Sequence, residues 1–88
     1  MSKCGKLHQK AINSPHNVRF KELCLLAECY GWEFARQNGT SHRLYINEAL
    51  TPEEGRRMNF QDYKGQAKAL HVRQLLAAID SLPDGQNE

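Results

Sequence analysis

Trp32-Glu33-Phe34-Ala35-Arg36-Gln37-Asn38-Gly39-Thr40-Ser41-His42-Arg43-Leu44-Tyr45-Ile46-Asn47 decides the fold. Large apolar residues alternate with polar ones on both sides of Asn38-Gly39, and Asn-Gly between two period-two runs is a strong hairpin signal. The first strand sets Trp32 and Phe34 on one side. In the return strand, Ser41 to Asn47, the alternation groups His42, Leu44 and Ile46 on one face and Ser41, Arg43 and Tyr45 on the other. The face with Leu44 and Ile46 is expected to look into the core, which leaves Arg43 and Tyr45 for solvent or a partner to cover.

Working outward, Arg57 to Gln61 alternates again, with Met58 and Phe60 inward, and makes a third antiparallel strand. Upstream, Phe20, Leu23, Cys24, Ala27 and Tyr30 form a helical stripe over residues 19–30, with Asn17 as a candidate cap and Gly31 as its stop. Lys3 to Asn13 is compatible with a short, weakly held helix that ends before Pro15. Downstream, a Lys- and Gly-containing loop over 63–68 leads into a last helix, residues 69–81, with Val72, Leu75, Leu76 and Ile79 as its stripe. The order is helix, helix, three strands, helix. An apolar sheet face and striped helices close as an α+β two-layer sandwich, and the α-β-β-β-α core has the element order of a double-stranded-RNA-binding domain.

At 88 residues the chain makes one small domain, too small for a large internal cavity, so any chemistry is expected on the surface or in a shallow groove. The expected division is an N-terminal helical extension over 1–16, the domain proper over 17–82 and a fraying tail over 83–88. No apolar run reaches the roughly 20 residues of a membrane helix, and the first five residues have no apolar signal core. A cytoplasmic protein is expected. Cys4, Cys24 and Cys29 lack zinc-ligand spacing and are expected to be reduced, with Cys24 in the core. No metal or other cofactor is implied.

The net charge of +2 conceals blocks. Residues 1–21 hold Lys3, Lys6, Lys10, Arg19 and Lys21 and no acid, and residues 55–73 hold Arg56, Arg57, Lys64, Lys68 and Arg73 against Asp62. Local basic patches of this kind attract polyanions even when the whole molecule is nearly neutral. Lys64-Gly65-Gln66-Ala67-Lys68, followed by Val72-Arg73, brings cations to the start of the last helix, where backbone N–H groups are also free for phosphate. Of the four histidines, only His42 begins a strand directly after a hairpin turn. Its expected place is the rim of the apolar face, partly shielded, a setting that suits proton transfer at neutral pH.

Several of these stretches together resemble the HicA family of toxin–antitoxin mRNA interferases. Asn17-Val18-Arg19-Phe20-Lys21-Glu22-Leu23-Cys24 is similar to the family's opening helix, and Gly39-Thr40-Ser41-His42 to its glycine-serine-histidine signature. Met58-Asn59-Phe60-Gln61 and Lys64-Gly65-Gln66-Ala67-Lys68 through Gln74 resemble its closing strand, basic loop and last helix. The resemblance spans about residues 17–80. It implies an endoribonuclease with a double-stranded-RNA-binding-domain fold that cleaves mRNA and is silenced by a HicB-type antitoxin; with no carboxylate or histidine ligand cluster in the sequence, the cleavage is expected to be metal-independent. His42 falls on the catalytic position, and Lys64, Lys68, Arg73, Ser41 and Arg43 become the implied RNA- and phosphate-binding residues. Arg43 stands where many members have a second histidine, and the helix over 3–13 precedes the usual core. A binding module of the double-stranded-RNA type without catalysis, or a protein-interaction domain, would use the same basic residues.

Overall fold

The computed structural model describes residues 3–39 and 41–82; the tail expected to fray from residue 83 lies outside them, as does Thr40 of the signature. Helices α1 (Lys3–Asn13), α2 (Phe20–Cys29) and α3 (Ala69–Asp80) accompany strands β1 (Glu33–Asn38), β2 (His42–Ile46), β3 (Arg57–Tyr63) and β4 (Gln66–Ala67). The fold is α+β, with three helices and a four-stranded antiparallel sheet in the order β1-β2-β3-β4. No described helix is long and apolar enough to cross a membrane.

Local chemistry sets the element ends. Asn17 does not cap α2, because Pro15–Asn17 closes a 3-10 turn of its own and Arg19 takes the cap position. Glu22 accepts a hydrogen bond from the Arg19 N–H at 2.9 Å, which satisfies a donor at the helix start. At the other end Gly31, at φ +102°, turns the chain so that the Trp32 N–H reaches the Ala27 carbonyl at 3.0 Å.

The segment 63–68, expected to be a loop, contains a fourth strand. Lys64 (φ +53°) and Gly65 (φ +86°) form a two-residue turn with both backbones left-handed, the geometry that suits a tight hairpin. Asp62 Oδ1 accepts the Gly65 N–H at 2.7 Å and fixes this turn. Beyond it Gln66–Ala67 pairs with Asp62 and Tyr63 on one side and bridges to Arg19 on the other. The bonds Phe20 N–H to Gly65 O and Ala67 N–H to Val18 O, each 2.9 Å, join the entry of α2 to this hairpin. Two-residue strands have no periodicity to read, so the sequence offers only the Lys-Gly turn.

Trp32, Met58 and Phe60 are inward as expected, but the middle strand is inverted. Tyr45 is 1 % exposed and packs on Phe60 at 5.6 Å between ring centroids, while Arg43 lies over Phe20 at 5.4 Å and Phe34 at 5.9 Å. His42, Leu44 and Ile46 therefore occupy the opposite, helix-free face. Leu44 is buried there by its neighbours and stands outside the core cluster; across from it are Arg36 and Asn59. The choice follows area: a tyrosine ring removes more apolar surface from water than a leucine or isoleucine side chain, and an arginine stem packs well when its head reaches the rim. Phe34 is on the core side but 51 % exposed, because β1 is the edge strand and a bulge at Ala35 shifts its register.

The N-terminal helix is also held more firmly than its sequence suggests. Cys4 and Cys29 form a disulfide, contrary to the expectation that all three cysteines are reduced; Cys24 alone is free, and it is buried. The pairing arises because α1 lies along α2 and brings residues 25 apart in sequence to a Cα separation of 5.9 Å. Two further contacts follow the same seam: Lys10 with Glu22 at 2.9 Å, and the Tyr30 hydroxyl with His8 Nδ1 at 3.1 Å. Ala11 is fully buried between the helices.

Reduction, or Cys4→Ser, removes a constraint on the unfolded chain worth about 3.5 kcal/mol for a loop of this length. The expected result is a lower urea midpoint with no change in the sheet, checked by denaturation with and without reductant.

Candidate functional site

The inverted parity of β2 gives the candidate site its geometry. His42 is the first residue of β2, half-buried on the helix-free face, with Ser41 Oγ 3.3 Å from its Nδ1. Its cross-strand partner is Gln61. Two residues further along β3, on the same face, stands Tyr63, 57 % exposed. The Lys64 ammonium lies 5.9 Å from the Tyr63 ring centroid. Lys68, exposed, is the cap residue of α3.

His71, in the first turn of α3, closes the edge of the sheet beside this group. β4 is too short to pair with all of β3, and the Gln61 N–H that it leaves is accepted by His71 Nδ1 at 3.4 Å. Burial pushes the His71 pKa down, and the neighbouring Lys68 pushes it further. With Nδ1 committed as an acceptor, the neutral ring has its proton on Nε2, so His71 is a poor base and stays uncharged near neutral pH.

The structure thus brings Ser41, His42, Lys64 and Lys68 to one end of the molecule, together with Tyr63. Arg43 and Arg73 do not join them. Arg43 points through the sheet to the helix side, and Arg73 donates to His16 Nε2 at 3.3 Å, beside the turn Pro15–Asn17. Sequence reading missed Tyr63 and His71. Continuing the β3 alternation two residues past Gln61 would have placed Tyr63 with His42, but nothing in the sequence reveals that His71 serves a strand edge.

On the helix side, the remaining titratable groups serve the core. Burial raises the Cys24 thiol pKa, and burial beside Cys24 raises that of the Tyr45 hydroxyl, so both stay neutral. The Tyr45 hydroxyl in turn holds the Arg43 guanidinium more firmly protonated than usual. Among the described residues no three His, Cys, Asp or Glu side chains converge as metal ligands. Compared with protein-family models, curated proteins and solved structures, the chain matches none.

His71 also generates a pH dependence. Its folded pKa is below the ordinary 6.5, so the unfolded chain binds the proton more readily. The stabilisation is complete above about pH 6.5 and is lost as the pH falls below it. His71→Gln, which keeps an acceptor for the Gln61 N–H, is expected to flatten the fall in urea midpoint between about pH 7.5 and about pH 5.5. An unchanged slope would remove His71 from this role.

Proposed function

We propose that this protein is an endoribonuclease of the HicA type, acting on mRNA and silenced by a HicB-type antitoxin that covers the helix-free face of the sheet. The observation that carries the reading is the meeting of His42 and the Lys64–Lys68 hairpin at one end of that face. The order of α2, β1, β2, β3 and α3 supports it as a double-stranded-RNA-binding-domain-like core, to which α1 and the short β4 are additions.

RNA carries its own nucleophile, the 2′-hydroxyl. His42 takes the proton as the 2′-oxygen bonds to phosphorus and the bond from phosphorus to the 5′-oxygen breaks. The departing oxygen takes a proton from water or a lysine, since burial keeps His71 neutral. Lys64 and Lys68 neutralise the charge that builds on the non-bridging oxygens, and Ser41 steadies the His42 ring. The products are a 2′,3′-cyclic phosphate and a 5′-hydroxyl end, and no metal-bound hydroxide is required.

Purified wild type is expected to cut single-stranded RNA to these ends, and His42→Ala to cut at least about 100-fold more slowly while still binding it. Intact RNA with folded wild type would leave a binding module. Lys64→Ala with Lys68→Ala is expected to weaken RNA binding and to flatten the dependence of log K on log salt by about 1.4, as two lost phosphate contacts on a single strand require. An unchanged slope would take the hairpin out of the interface.

A further inference from the structure

Arg43, misplaced by the sequence reading, lines a pocket of about 230 Å³ on the helix side of β2, together with Arg19, Phe20, Lys21, Asp62 and Gly65. Three basic residues, from two separate elements and the chain entering α2, line one small space together with the single carboxylate of Asp62. That carboxylate is already engaged by the Gly65 N–H at 2.7 Å. Glu22, the acid nearest in sequence, is turned to Lys10 and to the Arg19 N–H. Among the described residues, none of Arg19, Lys21 and Arg43 lies within ion-pair distance of a carboxylate.

Three basic groups beside one carboxylate leave this space with a net positive charge, which an anion offsets. Arg43 is also pre-organised: its guanidinium is held by the rings of Phe20 and Phe34. A guanidinium held in place loses little freedom on binding, and its fork of N–H donors matches the oxygens of a phosphate.

We propose that this pocket binds a phosphate group, held by Arg43, Arg19 and Lys21. It is a site separate from His42, because Arg43 and His42 project from opposite faces of β2, and it stands whether or not His42 cuts RNA. The phosphate comes either from the backbone of an RNA strand that passes around the end of the sheet or from a free phosphorylated compound.

The test is a titration of isotope-labelled protein with inorganic phosphate, followed by the backbone amide signals, with sodium chloride at matched ionic strength as control. Saturable shifts at Lys21, Arg43 and Gly65 are expected, together with at least a tenfold loss of affinity in Arg43→Gln. Lys21→Gln, at an exposed position, is expected to weaken binding with the fold intact, which covers the case in which Arg43→Gln unfolds. A second titration uses a short single-stranded RNA without terminal phosphates. Shifts at the same amides would assign the site to the RNA backbone, and shifts with inorganic phosphate alone to a free phosphorylated ligand. Shifts no larger than those from chloride, shifts confined to Lys64 and Lys68, or a response to an acidic peptide but not to phosphate would each overturn the proposal.

Discussion

The burial of Tyr45 beneath α2 fixes more of this molecule than any other contact. Its ring fills the space between Phe60 and Phe34, and its hydroxyl reaches Glu28 on the helix at 3.4 Å. In a strand of period two, this one placement also decides the neighbours: Arg43 must turn inward, and His42 and Leu44 outward. The catalytic candidate is thereby kept out of the core and on a face that no described helix covers. The same step sends a guanidinium to the opposite side, where it lines a second basic space. The two candidate sites are consequences of a single choice of register.

Around that strand, hydrogen bonds of the backbone assemble one end of the molecule. The hairpin turn at Lys64-Gly65 is joined to the entry of α2 by the bonds between 18–20 and 65–67, and to the first turn of α3 by chain continuity. Side chains that are distant in sequence, from Arg19 to His71, are thus gathered within one region. The opposite end is closed by polar contacts of a different kind. The Trp32 ring donates to the Gly55 carbonyl at 3.0 Å, and the buried Asn47 donates to the Tyr30 carbonyl at 3.1 Å and accepts from the Ala49 N–H. Gly55 is required there, because a Cβ would lie 2.6 Å from that of Ala78. One end is spent on holding the layers together, which leaves the other free to present charge.

The N-terminal helix adds a clamp to this arrangement. It shields the outer side of α2 and is tied at its start by the disulfide, in its middle by His8 with Tyr30 and near its end by Lys10 with Glu22. Structural disulfides belong mostly to oxidising surroundings, which sits uneasily with the cytoplasmic location expected from the sequence. The exposed ion pair contributes little by itself, and most of the hold comes from the covalent link and the burial of Ala11 and its neighbours.

What the sequence determined by itself were the features that repeat locally. Helical stripes placed α2 and α3, Asn38-Gly39 placed the hairpin, and alternation placed Trp32, Met58 and Phe60 in the core, because side-chain period follows from backbone geometry alone. It also singled out His42, Lys64 and Lys68, whose positions next to turns are visible in the chain. The tertiary structure alone decided which face of β2 meets the helices, since both faces hold apolar side chains and only the fit beneath α2 distinguishes them. It alone revealed β4, the edge role of His71, the pairing of Cys4 with Cys29 and the gathering of Arg19, Lys21 and Arg43. Each of these depends on distances between segments far apart in sequence, which no local pattern records.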